Sequence, residues 1–219
     1  PIAQCRHDVA RTALNFRFFA DHAAMAVAET LPMDSGHHAY TRYEPAGVVV
    51  AIAPWNFPMM LESWKVAPAL AWGNTVVLKP AEDTPTSATI LARLALAAGL
   101  PEGVFNVVQG LGADAGAPLT GESRTGSIIS RAAADNLTPV SLEMGGKNSN
   151  LVFADADLDN AVDWSIQSIF RNAGQICLSG SRLYVQRGIY DAFLEKFVAQ
   201  AEAMKFGDPL DPETEFGPL

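Results

Sequence analysis

Three short runs of β-branched and aliphatic residues, 47–53 (GVVVAIA), 75–78 (TVVL) and 103–108 (GVFNVV), recur along the chain with helix-length stretches between them. Continuous apolar runs of this length suit strands buried on both faces, as parallel sheets require. The first run ends in the turn Pro54-Trp55-Asn56-Phe57-Pro58, and a helix over about 63–71 follows. Gly73-Asn74 breaks that helix, and 86–98 reads as an Ala/Leu-rich helix closed by Gly99. Strands joined in parallel need a right-handed crossover, so a βαβαβ succession predicts a Rossmann-like, nucleotide-binding α/β domain. Ligands of such sheets gather beyond the carboxyl ends of the strands, which directs attention to Pro54–Pro58 and to Lys79-Pro80-Ala81-Glu82.

The next unit is interrupted. Thr120-Gly121-Glu122-Ser123-Arg124-Thr125-Gly126 reads as a glycine turn opening a helix over 127–134, and free backbone N–H groups there suit a phosphate. Such a turn should follow a strand, but Ala115-Gly116-Ala117-Pro118-Leu119 has neither the length nor the residue types of one. Beyond Pro139, two strand-like runs (140–144 and 151–153) precede a helix over 158–171. A strand over 183–186 and an amphipathic helix over 190–204 come next. Gly145-Gly146 permits unusual backbone angles and marks a domain boundary. The division expected is therefore 1–144 for a nucleotide-binding domain and 145–219 for the start of an α/β catalytic domain. A chain that opens on Pro1 and an uncapped helix over 11–28, and stops after Phe216-Gly217-Pro218-Leu219, reads as an interior piece of a longer one.

With 49% hydrophobic and 18% charged residues, the 219-residue chain is of the soluble globular class. A net charge of −9 argues against nucleic acid or an anionic membrane as the primary partner. No apolar run reaches the roughly 18 residues of a membrane span and no signal segment opens the sequence, so the expected location is the cytoplasm. Cys5 and Cys177 lie far apart without metal-ligand spacing, which predicts reduced thiols, no disulfide framework and no metal site.

Cys177 sits in Gly174-Gln175-Ile176-Cys177-Leu178-Ser179-Gly180-Ser181-Arg182, a small-residue bend between a helix and a strand. Glycines on both sides leave room for a substrate, and Arg182 adds positive charge that would favour a thiolate. A lone cysteine is also commonly a small buried hydrophobe. Likewise Glu143 suits a solvated strand end, and Asn56 a tight bend. No Gly-x-Gly-x-x-Gly follows the first strand. Glu82, however, stands at a strand end where a carboxylate accepts ribose hydroxyls and repels a 2′-phosphate, favouring NAD over NADP.

Four motifs, Pro54-Trp55-Asn56-Phe57-Pro58, Lys79-Pro80-Ala81-Glu82, Leu142-Glu143-Met144-Gly145-Gly146-Lys147-Asn148 and the Cys177 segment, together resemble the NAD(P)-dependent aldehyde dehydrogenase superfamily from about Asn15 to Leu219. The resemblance implies that Cys177 attacks an aldehyde, Glu143 activates the water that releases the acid, and Asn56 donates to the oxyanion. It gives Lys79 and Glu82 a ribose-contacting role, places Gly112 and Gly116 at an adenine pocket and Gly121 with Glu122 at a pyrophosphate turn, and adds Ile52, Trp55 and Gly145 as cofactor-cleft residues. Glu122 departs from the hydroxyl residue common at that turn, since a carboxylate cannot donate to phosphate. In this family an apolar strand leads directly into the Thr-Gly turn. A strand of about five or six residues is thus absent between Leu119 and Thr120, as a gap or a deletion.

Transfer of the acyl group to coenzyme A, or a catalytically silent nucleotide-binding fragment, are the rival readings; a glutamate base favours water as the acceptor. The helix over 11–28, with Asn15-Phe16-Arg17-Phe18-Phe19-Ala20, is similar to relatives that oxidise semialdehydes from aromatic ring cleavage, such as hydroxymuconic semialdehydes. Arg11 or Arg17 would then clamp a substrate carboxylate. The resemblance also implies a homodimer or homotetramer for the full-length protein.

Overall fold

The computed structural model describes residues 1–32, 36–111, 127, 130–131, 133–134 and 139–217. They fall into two compact units, one of Asp8–Leu119 and one of Pro1–His7 with Thr120–Leu219. The changeover falls at Leu119/Thr120, the junction singled out in the sequence.

In the first unit, helix α1 (Ile2–Ala24, its first turns assigned to the other unit) starts earlier than the pattern over 11–28 suggests, and a short antiparallel pair follows, β1 (Thr30–Leu31) with β2 (Ala39–Tyr40). That pair leaves no periodic signal because two residues per strand cannot alternate. The parallel sheet is as expected: β3 (Val48–Ile52), β4 (Thr75–Lys79) and β5 (Phe105–Val107), in the order β3-β4-β5. Helices α2 (Pro58–Ala71) and α3 (Pro85–Ala97) make the crossovers. Each has proline in its first turn, where the missing N–H costs nothing, so each begins before its apolar pattern does.

Gly73 closes α2 with φ of 78°, and the bonds from Gly73 N to Leu70 O and from Asn74 N to Ala69 O form a Schellman cap. Asn74 extends this closure to the sheet. Its Nδ2 donates to Ala69 O and its Oδ1 accepts from Gly47 N, each at 3.0 Å, so the end of α2 is tied to the start of β3. Val66, Val76, Leu78 and Ala88 are fully buried in the core, together with Ala51, Ala53, Leu91 and Phe105. Each large aliphatic there contributes about 1.5–3 kcal/mol by leaving water. The expectation of strands buried on both faces fails at β3: Val48 and Val50 are 69% and 65% exposed, because the core formed with α2 and α3 lies on the other face, which carries Ala51, Val76 and Leu78.

In the second unit, β6 (Ser149–Val152) pairs in parallel with β7 (Arg182–Val185), and helices α4 (Leu158–Phe170) and α5 (Tyr190–Glu202) pack on them. Val152, Val162, Ile166 and Phe193 form the core. Asp157 caps α4 by accepting the Asn160 N–H at 2.9 Å. The strand expected over 140–144 is not formed; 139–148 has neither helix nor strand. Without a neighbouring strand its backbone has no ladder to join. The boundary expected at 144/145 lies within this irregular stretch. Ser127, Ser130, Arg131, Ala133 and Ala134 are helical, in keeping with the helix expected over 127–134.

Candidate active site

The strand ends of the first unit bring several of the expected residues together. Ile52 and Lys79 are in register across β3 and β4, and Ala53 N donates to Lys79 O at 3.1 Å, so the turns that follow the two strands emerge side by side. In the first turn Phe57 is buried, Asn56 half-buried and Trp55 exposed. In the second the Lys79 side chain is only 7% exposed, and its Nζ lies 3.0 Å from Glu82 Oε2. A buried ammonium needs such a partner.

Beside this pair lies a cleft of about 240 Å³ lined by Pro80, Ala81, Glu82, Pro85, Gln109, Gly110 and Leu111. Its far wall is fixed by Gln109, whose Nε2 donates to Thr89 Oγ1 at 2.7 Å. Gly110 has φ of 150°, which lets the chain turn directly after β5. The volume suits one end of an extended ligand rather than a whole drug-sized molecule. Of these lining residues only Glu82 was expected; Gln109 and Gly110 could have been found from their place just past the third strand. Gly112, Gly116, Gly121 and Glu122 lie outside the described residues.

The thiol belongs to the second unit. Helix α4 gives way to a 3-10 turn, Arg171–Gly174, in which Asn172, Ala173 and Gly174 take φ of 52°, 55° and 75° in succession. For Ala173 the left-handed conformation costs about 1–2 kcal/mol, which the local bonds must hold in place. Gln175 N donates to Asn172 O at 3.0 Å, Ser179 Oγ to Gly174 O at 3.2 Å and Gly180 N to Ser168 Oγ at 2.9 Å. Ser179 N donates to Ile176 O at 3.1 Å, closing a β-turn with Cys177 and Leu178 at its centre. Cys177 is exposed among these residues, unlike a buried hydrophobe.

The segment carrying Glu143 meets this turn through its end. Asn148 Nδ2 donates to Cys177 O at 2.7 Å, and Arg182 N donates to Asn148 O at 3.2 Å. Arg182 was expected to supply charge for the thiolate, yet its guanidinium donates to the Lys147 carbonyl at 2.5 Å and so serves as a tie between segments. Gly146 was expected for its backbone freedom, but its φ lies outside the left-handed region. It is needed for space, because a Cβ there would stand 2.5 Å from Cys177 O. Glu143 and Gly145 are both exposed.

One ionisable residue escaped the sequence reading. Glu62, on α2, is fully buried; Ser87 Oγ donates to its Oε1 at 3.2 Å while Oε2 has no hydrogen-bond partner. Burial raises its carboxyl to about 7, against a smaller lowering by Ser87. A glutamate among Met60, Leu61 and Val66 was the available clue.

With these features in place, comparison with known proteins is decisive. The chain belongs to the aldehyde dehydrogenase family, whose sequence profile matches residues 1–219. It is 48% identical to a 2-hydroxymuconic semialdehyde dehydrogenase of Pseudomonas sp. (strain CF600), over 97% of this chain and 47% of that protein. A crystal structure of a putative aldehyde dehydrogenase from Burkholderia cenocepacia superposes with a TM-score of 0.96 at 48% identity, covering 100% of this chain and 47% of the other. A crystal structure of PnpE in complex with nicotinamide adenine dinucleotide superposes with a TM-score of 0.94 at 45% identity, covering 100% and 47%. The chain thus spans about half the length of these relatives. The α/β fold and the family resemblance are borne out. Among the described residues no helix is long and apolar enough to cross a membrane.

Proposed function

We propose that this chain, working within a protein of its relatives' length, takes part in the NAD-dependent oxidation of an aldehyde to a carboxylic acid. The observation that carries the reading is the exposed Cys177 at the centre of a tied β-turn, in a chain of the aldehyde dehydrogenase family. The Cys177 thiolate attacks the carbonyl carbon, a C–S bond forms and the carbonyl electrons move onto oxygen. Asn56 is assigned the side-chain donor to that alkoxide, with the Cys177 backbone N–H as the second donor. Bound NAD would supply the two-electron acceptor that converts the tetrahedral adduct to a thioester. Glu143 then takes a proton from water, which attacks the thioester, and the C–S bond breaks to release acid and thiolate.

The residues at the strand ends fit NAD. Glu82 presents a carboxylate, 43% exposed, to the cleft at the ends of β4 and β5, where it can accept ribose hydroxyls and would repel a 2′-phosphate, with Lys79 beside it. For the substrate, the similarity to a 2-hydroxymuconic semialdehyde dehydrogenase favours an aldehyde that also bears a carboxylate, and Arg17, exposed on α1, is the proposed clamp.

The test is NADH formation by the full-length protein and its Cys177→Ala variant, with simple aldehydes and a muconic semialdehyde as substrates. Wild-type turnover that vanishes in the variant supports the reading. Absence of turnover in a wild-type protein that binds NAD would overturn it.

A further inference from the structure

We propose that Asn148 is a positioning residue, which locks the peptide between Cys177 and Leu178 in one of its two turn orientations and thereby sets the reactivity of the thiol. The inference rests on the aldehyde dehydrogenase reading only for its meaning in turnover; its geometry stands alone. Types I and II of a β-turn differ by a flip of the central peptide, with ψ of the first central residue changing from about −30° to about +120°. Here that peptide is Cys177–Leu178, and the turn's own bond, Ser179 N to Ile176 O, leaves its orientation open. Asn148 settles it by donating Nδ2 to Cys177 O at 2.7 Å.

The carbonyl and the amide that holds it sit in a notch against Gly146. A Cβ on Gly146 would come within 2.5 Å of Cys177 O and 2.8 Å of Asn148 Nδ2, so the notch exists only because residue 146 has no side chain. Asn148 is itself fixed at the start of the β6/β7 ladder. Its carbonyl accepts Arg182 N, the next residue pairs Ser149 with Arg182, and Arg182 Nη2 returns to Lys147 O at 2.5 Å. An anchor on sheet backbone holds a donor more firmly than a loop would.

The consequence for the sulfur is electrostatic. The trans peptide puts Leu178 N–H on the side opposite Cys177 O, so pinning the carbonyl also aims that N–H. Without the Asn148 donor the peptide is free to turn its carbonyl toward the sulfur, where the partial negative charge opposes that of the attacking sulfur and slows its reaction.

The experiment follows the rate of iodoacetamide labelling of the Cys177-containing peptide at neutral pH in the full-length protein, by mass spectrometry. It compares wild type, Asn148→Ala, Asn148→Gln and Gly146→Ala. Asn148→Ala should slow labelling about tenfold. Asn148→Gln, which keeps the donor, should recover part of the loss. Turnover should fall in kcat while the NAD dissociation constant stays within about twofold, since the change acts at the thiol and not at the strand ends. The wild-type labelling rate in Asn148→Ala would overturn the proposal. Gly146→Ala crowds both the carbonyl and the Asn148 amide that holds it, so an unchanged labelling rate there would overturn it too, even if Asn148→Ala does not fold. Labelling needs no substrate. A wild type without turnover whose Asn148→Ala variant still labels slowly would therefore defeat the functional reading and leave the positioning role intact.

Discussion

At the end of β4, Lys79 and Glu82 are placed by a strand whose inner residues are fully buried, and the functional groups are side chains. At the thiol, placement comes from a turn whose carbonyls and N–H groups are tied down by Asn148, Ser168 and Ser179. The first arrangement tolerates changes around the site provided the sheet core survives. In the second, a single added methyl at Gly146 reaches the backbone of the reactive residue. Rigid scaffolds can carry chemistry on side chains, whereas a nucleophile on a loop needs its backbone fixed as well.

The largest expected effect that separates the two regions is at Cys177. Cys177→Ala should lower turnover by at least about a thousandfold, as removal of a nucleophile does, while NAD binding by equilibrium titration is retained. A comparable loss of NAD binding would show that the regions do not act separately. Leu78→Ala should lower unfolding free energy by about 2–5 kcal/mol in denaturant titration, because the side chain is fully buried in the core shared with α2 and α3 and little can close the void. A loss below about 1 kcal/mol would contradict the view that the strand-end site depends on its core.

Glu62 supplies a pH-dependent test of the same core. Its carboxyl is raised from 4.5 to about 7, so the folded state favours the neutral form. Its stabilising contribution is complete below the unfolded value and is lost as pH rises from about 4.5 through about 7. Glu62→Gln should therefore raise the unfolding free energy more at pH 8 than at pH 4.5, by up to about 3 kcal/mol in denaturant titration. Equal effects at both pH values would sink this account. The smallest effect is expected at Glu82, where Glu82→Gln should weaken NAD about tenfold with kcat little changed, as loss of charge-assisted bonds does. Unaltered NAD affinity would remove Glu82 from the ribose site.

Legibility follows the same division. The three parallel strands and their crossover helices were evident because β-branched runs and glycines at helix ends are local properties of the chain, whereas the helix starts at Pro58 and Pro85 were placed late because the apolar pattern begins after them. Cys177 stood out for the small residues around it, and Glu82 for its place after a strand. What stayed hidden depends on approaches between distant segments: Gly146 against the Cys177 carbonyl, Arg182 turned onto Lys147, and Glu62 enclosed beneath Ser87. The strand expected over 140–144 shows the converse, a pattern that looks right locally and lacks a partner to complete it.

The exposure of Cys177 also has a redox consequence. A sulfur exposed to solvent is open to peroxide, and a cysteine is oxidised first to sulfenic acid, which reductants reverse, and then to sulfinic acid, which they do not. If Cys177 carries the turnover proposed above, activity lost to brief oxidant exposure should return with dithiothreitol and activity lost to prolonged exposure should not, so the exposure that would admit a substrate would also leave the sulfur open to irreversible damage.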